Sequence, residues 1–346
     1  QALNGAWGLK FWSMEFANWG EVPTPRCHRA CLGHTLDFHR FYSDSQVEYL
    51  KIQHGALRAT VAPRQFVSHN STGVFDRGID HRAYARALDV AGWDAYRGAA
   101  AAGHGLDAAA TALAHDLFRS ALGKPFWIFE TGPDAAMPVA FFAEAMARGA
   151  EGVLFWLWRT HRANIEQGST AFCDFDGVPY EGRIEKLRAI RERVAELEQA
   201  AGPGATWGTR RASAAFLFDP DNVRAEHRSP RRPMPYLDGV FRLYAPLRRH
   251  GIATDAAYAG DALDGYRLAA MPGLRLMSPA QAEPIRAFVA GGGVLLAAAR
   301  TAHMDLHGVY YRQLGEPLLD VLGVRIRPEP VTLAGSGVVT SGGQAF

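Results

Sequence analysis

The chain has 346 residues, enough for two domains at ~100–200 residues each. Hydrophobic residues make up 48% and charged residues 21%, the balance of a globular protein and not of a disordered or fibrous one. A formal charge of +2 gives no global reason to expect nucleic acid as a partner, and no apolar run reaches the ~18 residues of a membrane span.

The chain opens on Gln1, so the natural N-terminus is expected upstream; no signal peptide is recognisable. Leu3 to Trp19 is dense in Trp, Phe and Gly and reads as a packed loop or helix end that other protein must cover. Cys27-His28-x-x-Cys31-x-x-His34 carries metal-ligating residue types without a standard zinc spacing, and no metal is expected. The 3 cysteines make no disulfide framework and suit a reducing, cytoplasmic setting. Phe38 to Leu57 has helical spacing, with Ser43-Asp44 as the cap. Ala62 to Asn70 reads as a strand with the polar tip Ser68-His69-Asn70. A short helix near Asp80 to Ala87 leads to a second strand, Leu88 to Tyr96, whose tip carries Trp93 and Tyr96.

A helix over Ala108 to Leu122 precedes the most informative stretch. Phe126 to Phe129 is an aromatic, apolar run punctuated by Gly123 and Pro125 before it and by Gly132-Pro133 after it. This is a short buried strand that delivers Glu130 at its C-terminal end, where α/β enzymes place their chemistry. A helix over Pro138 to Arg148 follows, and then Gly152 to Trp158, an apolar strand of the kind buried on both faces, ending on Arg159. A charged helix runs from Glu181 to Ala200. Strand–helix alternation argues a parallel sheet with helices outside it. A full eight-unit barrel needs about 250 residues; only four units are legible before the linker Ala201 to Gly204.

Beyond the linker, strands over Ala212–Phe218, Ile252–Ala257, Tyr266–Met271 and Val294–Ala298 alternate with helices over Tyr236–His250 and Ser278–Ala290. Gly291-Gly292-Gly293 precedes a strand, so it is a helix stop and not a phosphate loop. This half reads as a doubly wound α/β domain. The boundaries are 1–203 and 204–346, with a Gly/Ser-rich end that reads as truncated.

Several segments in register resemble glycoside hydrolase family 42, the bacterial β-galactosidases. Leu3 to Ser13 (LNGAWGLKFWS) is similar to that family's LN-x-AWG-x-x-FWS. Leu36-Asp37-Phe38-His39-Arg40-Phe41, followed by Ser43-Asp44, is similar to LDWRRF-x-SD, and Trp93-Asp94-Ala95-Tyr96 stands where the family has WDNY. His115-Asp116-Leu117-Phe118-Arg119, followed by Gly123 to Trp127, is close to HDL-x-R…GKPFW. The resemblance implies the C-terminal half of a TIM (β/α)8 barrel, strands five to eight, followed by a flavodoxin-like domain that mediates trimer formation. It implies a retaining β-galactosidase acting on terminal β-galactosides without a cofactor, with Glu130 as nucleophile.

The family's acid/base Glu lies in an Asn-Glu pair upstream of the LN-x-AWG segment, and no such pair occurs in this sequence. The resemblance therefore implies an incomplete, inactive piece. Glu166 matches a galactose-binding Glu, and Trp93 and Tyr96 sit where sugar-facing aromatics are expected, although core packing explains both equally well. Asn70 and His69 are candidates to line the rim, and Arg159 to order Glu130. Ser169 replaces a family His, and no aromatic follows Glu130 within Thr131 to Met137. Two alternatives remain at this stage: a non-catalytic carbohydrate-binding or assembly remnant, and an α-L-arabinopyranosidase-like specificity.

Overall fold

The computed structural model describes residues 1–25, 31–72, 75, 78–96, 107–123, 125–133, 139–203, 212–226, 236–326, 340–341 and 344–345. A helical turn α1 (Ala2–Ala6) leads through an aromatic segment to the long helix α2 (Leu32–Arg58). Then follow β1 (Ser68–Ser71), α3 (His81–Arg86), β2 (Val90–Asp94), α4 (Asp107–Leu122), β3 (Phe126–Glu130), α5 (Val139–Ala147), β4 (Ala150–Val153) and α6 (Arg183–Ala201). The four strands pair in parallel in the order β1-β2-β3-β4. The parallel sheet with helices outside it is the one the alternating patterns imply, and its build is the C-terminal half of a β/α barrel that the family resemblance implies.

The second unit contains β5 (Ala214–Phe218), α7 (Pro220–Glu226), α8 (Tyr236–Arg249), β6 (Thr254–Tyr258), β7 (Leu268–Met271), α9 (Pro279–Ala290), β8 (Val294–Ala297) and the short α10 (Leu319–Leu322). Its strands are parallel in the order β6-β5-β7-β8, the doubly wound, flavodoxin-like arrangement. Ser278 opens α9 with a reciprocal capping box to Gln281 and Pro279 at the first turn.

Three details differ from the sequence reading. The helix expected from Phe38 begins at Leu32, where the thiol of Cys31 accepts from the His34 amide. Ser43 lies inside that helix, and its hydroxyl accepts from the Asp80 amide, tying α2 to the start of α3. The strand expected over Gly152 to Trp158 ends at Val153, although the Leu154 and Trp156 amides still bond the Ile128 and Thr131 carbonyls. It is not buried on both faces: Leu154 is 47% and Trp158 60% exposed, on a sheet whose inner face is open among the described residues.

Alternation along β3 sorts its aromatics. Phe126 and Ile128 are fully buried toward the helices, while Trp127 and Phe129 line the inner face. Two glycines make room for them. A Cβ on Gly92 would lie 2.1 Å from the Trp127 carbonyl oxygen, and one on Gly152 would lie 2.6 Å from the Trp127 ring. Any larger residue there would part the strands.

The two units share one apolar core. Phe75 packs edge-on against Phe218 and Phe241, with ring centres 5.8 and 5.1 Å apart. Around it runs a charged seam. Asp116 on α4 accepts from Arg119 at 3.1 Å and Arg148 at 2.5 Å, and also from the Tyr244 hydroxyl of α8. Arg119 reaches on to Asp255 at 2.5 Å, and Arg248 grips Glu144 through two bonds of 2.7 Å. Arg40 joins Asp37 to Asp221. The His115-Asp116-x-x-Arg119 motif is thus half core and half inter-unit clamp.

Candidate active site

The C-terminal tips of β1, β2 and β3 converge on one carboxylate. Glu130 ends β3. Its Oε1 accepts from Asn70 Nδ2 at 2.9 Å, and its Oε2 accepts from the Tyr96 hydroxyl at 3.0 Å. Both oxygens are oriented, and both by neutral donors. Burial raises the Tyr96 phenol pKa, and so do the hydrogen bond and charge of Glu130; Asp94 and Glu166 add to the effect. Glu130 and Glu166 therefore flank the same phenol.

Glu166 lies on the loop after β4, where its Oε2 accepts from the Trp156 indole at 2.9 Å. The Trp156 ring stacks on His161 at 5.9 Å, and the Trp156–Leu157 peptide is cis. Asn164 fixes the same loop by accepting from the Glu166 amide at 2.8 Å. Ser169 turns its hydroxyl back to the Glu166 carbonyl.

A further rim residue was not singled out from the sequence. Asp94, at the tip of β2, accepts from Asn70 Nδ2 at 3.0 Å, the same nitrogen that serves Glu130. The β2–β3 register skips at this point and brings Asp94 level with Glu130. Burial first, and the Glu130 charge second, push the Asp94 carboxyl up to about 7, against the lowering effect of the Asn70 bond. The signal was present in the spacing: Asp94 and Tyr96 are two residues apart and share a face.

The same spacing corrects Trp93. It is 2% exposed and turns to the helix side, where its indole donates to His115 Nδ1 at 3.2 Å. For Trp93 and Tyr96 a sugar-facing role and core packing were equally open; Trp93 packs in the core, and only Tyr96 reaches the rim. His69, one residue from Asn70, likewise faces outward and meets the Tyr84 hydroxyl of α3 at 2.7 Å. Arg159 lies over the turn at Gly177, and no ion pair joins it to Glu130 among the described residues. Of the Cys/His segment, Cys31 caps α2 and His34 bonds the Pro23 carbonyl at 2.8 Å; Cys27 and His28 lie outside the described residues. So does most of the segment after Glu130, Asp134 to Met137.

A parallel β/α sheet whose strand tips gather carboxylates, backed by a doubly wound domain, defines a barrel-type α/β protein with an acidic rim site. The chain belongs to glycoside hydrolase family 42: the β-galactosidase family model matches residues 1–197. A β-galactosidase trimerisation domain model matches residues 212–341.

The β-galactosidase of Alicyclobacillus acidocaldarius is 31% identical over 342 residues, covering 93% of this chain and 49% of the relative. A Thermus β-galactosidase is 31% identical over 331 residues, covering 87% of this chain and 49% of its own length. The chain thus spans about half the length of the curated relatives it matches. Among solved structures, the Halorubrum lacusprofundi β-galactosidase superposes with a TM-score of 0.78 at 28% identity, over 92% of this chain and 50% of that one. The cold-adapted β-galactosidase of Rahnella sp. R3 gives 0.82 at 26% identity, over 93% and 49%.

Proposed function

We propose that the chain supplies the nucleophile half of a retaining β-galactosidase, with residues 1–203 as the catalytic part and 204–346 as the assembly part. The observation that carries this is the doubly held Glu130. Asn70 and Tyr96 fix both oxygens, and neither donor is a cation. Among the described residues the carboxylate is aimed without an ion pair that would stabilise its charge before attack. Attack on the anomeric carbon forms a glycosyl ester as the bond to the leaving oxygen breaks. Glu166, exposed and held by Trp156, accepts a hydrogen bond from a sugar hydroxyl. The scheme needs two carboxyl groups about 5–5.5 Å apart and no cofactor.

The second carboxyl is the acid/base. Asp94 has the raised pKa of an acid, but its Oδ1 is buried and its Oδ2 is bonded to Asn70, so it cannot reach a leaving group on the open side. We infer that the acid comes from the half of a barrel that these four strands do not form. Residues 1–346 alone then lack general acid catalysis, typically worth ~10²–10⁴-fold, and show no more than trace turnover. The second unit forms a homotrimer in this reading. Val294 and Leu296, 62% and 46% exposed on one face of the edge strand β8, give it an apolar surface to cover. The partners are a terminal β-galactoside and two further copies of the chain.

Ser169, turned back to its own loop, favours a second reading of the sugar. An α-L-arabinopyranoside would make fewer contacts there while leaving the mechanism unchanged. The test uses a chain carrying both barrel halves. Glu130→Ala abolishes hydrolysis of nitrophenyl β-galactoside, and azide restores release of nitrophenol, yielding the glycosyl azide of inverted configuration by NMR. An undiminished Glu130→Ala protein would refute the nucleophile assignment. A wild-type protein that binds galactosides and never turns them over would favour the non-catalytic remnant.

A further inference from the structure

Asp94 takes no part in the scheme above, and its surroundings are unusual. It is 7% exposed, at the end of a strand, level with another carboxylate. A single amide nitrogen, Asn70 Nδ2, serves both acids, at 3.0 Å to Asp94 and 2.9 Å to Glu130. The remaining oxygen of Asp94, Oδ1, is buried and has no hydrogen-bond partner among the described residues. The titratable groups facing Asp94 are Glu130 on β3, Tyr84 on α3 and Tyr96 beyond the end of β2. No cation is paired with it among the described residues.

Two adjacent carboxylates, one buried and one half-buried, with no cation paired to either among the described residues, do not both ionise at little cost. Glu130 keeps two donors and Asp94 has one, so the proton belongs on Asp94. We propose that Asp94 is a positioning residue that stays protonated beside an ionised Glu130, so that the Asp94–Asn70–Glu130 cluster carries one negative charge in the free site. The Asn70 amide then spans an acid and a carboxylate and holds Glu130 in line for attack.

The charge moves during the reaction. When Glu130 becomes a glycosyl ester it is neutral; the charge that joined burial in holding the proton on Asp94 is gone, and burial alone remains. Asp94 then gives up part of that proton to water and takes up part of the charge of the cluster. Hydrolysis of the ester restores the charge on Glu130, and Asp94 takes a proton back. The direction of the Asp94 titration, raised by burial and by Glu130, agrees with this exchange. The inference rests on Glu130 being the nucleophile.

The experiment is proton release on trapping. A chain carrying both barrel halves is mixed near pH 7 with dinitrophenyl 2-deoxy-2-fluoro-β-galactoside in weak buffer with an indicator dye. Its leaving group departs without a proton. Wild type should release more protons per trapped site than Asp94→Asn, by a fraction of a proton and at most about half, because Asp94 is near its midpoint at that pH and only the Glu130 charge is removed. Equal release from the two proteins, with Glu130 labelled in both, overturns the Asp94 proposal and leaves the nucleophile standing. Absence of label on Glu130 overturns both.

If Asp94→Asn does not fold, carbon-13 carboxyl titration of unsubstituted protein reads the same exchange. One aspartate signal with its midpoint near 7 should move to lower pH on trapping; an unmoved midpoint overturns the proposal. Substitution by Asn also separates position from bulk. If Asp94 acts as a neutral acid, the Asn variant keeps more kcat than the Ala variant, and its kcat against pH loses the limb that wild type shows near neutrality.

Discussion

The rim and the seam between the two units both contain buried acids, and they treat them oppositely. In the seam most acids meet an arginine, Asp80, which accepts from the Tyr258 hydroxyl at 3.0 Å, being an exception among the described residues. Asp116, whose side chain is 2% exposed, lies between Arg119 and Arg148, and Asp255, Glu144 and Asp221 are each paired. At the rim, among the described residues, Asp94, Glu130 and Glu166 receive only neutral side-chain donors: an amide, a phenol and an indole. An ion pair with filled hydrogen bonds stores the charge safely and fixes the docking of one unit on the other. Acids that are oriented but not neutralised are poor structural cement, and they mark where the molecule keeps reactivity.

The sharpest way to break this contrast is to remove one acid from each region. At the rim, Glu130→Gln in a chain carrying both barrel halves should lower kcat on nitrophenyl galactoside by ~10⁴–10⁶-fold, as loss of a nucleophile does, with little change in melting temperature. A loss of less than tenfold would place the reactive acid elsewhere. In the seam, Asp116→Ala should cost up to about 3–5 kcal/mol, because it removes the buried carboxylate shared by Arg119, Arg148 and the Tyr244 hydroxyl, although Arg119 keeps Asp255 and Arg148 keeps Glu144. Thermal unfolding of residues 1–346 reads this directly. A variant as stable as wild type would show that the seam is not what joins the units.

Glu166→Gln should have a smaller effect, about 10–100-fold in kcat/KM, the worth of one hydrogen bond to a charged acceptor. The loss should be smaller on substrates lacking the hydroxyl it contacts. A uniform loss across all substrates would make Glu166 a prop for the loop and not a sugar ligand.

The smallest effects concern pH, and their signs are opposite in the two regions. His115, buried on α4 behind Trp93, is driven down to about 3 by burial and then by the nearby Arg148 charge. Its contribution to stability is present above the ordinary histidine value of 6.5 and lost as pH falls from there toward about 3. Asp94 is raised from 3.8 to about 7, so the folded chain binds that proton more tightly than the unfolded one. Its contribution is complete below 3.8 and lost as pH rises through about 7. Asp94→Asn, neutral at every pH, should therefore gain melting temperature over wild type between pH 5 and pH 8. A constant difference across that interval would mean that Asp94 does not titrate there.

Much of the rim could be read from residues. The apolar run Phe126 to Phe129, stopped by Gly132-Pro133, announced a strand ending on Glu130, and the polar tips at Asn70 and Tyr96 announced its partners. Trp93 was left between core and sugar because an aromatic beside a strand tip fits either until the two-residue period is applied. That period also recovers Asp94. The Trp156–Glu166 bond had no such signal, since it depends on how a ten-residue loop folds back. The start of α2 was missed because a thiol is a weak cap, and β4 was drawn too long because an apolar run cannot show which of its faces is covered. The seam was illegible for a different reason. Arg119 and Asp255 are 136 residues apart, and no local pattern pairs them.

The most direct test of the central claim is to trap the intermediate and map it. A chain carrying both barrel halves is inactivated with 2-deoxy-2-fluoro-β-galactosyl fluoride, digested, and its peptides are weighed and sequenced by mass spectrometry. The account predicts one fluorogalactosyl group per chain, on Glu130, in the peptide containing Phe126 to Gly132. A label on Asp94, Glu166 or any other residue, with Glu130 unmodified, would contradict it.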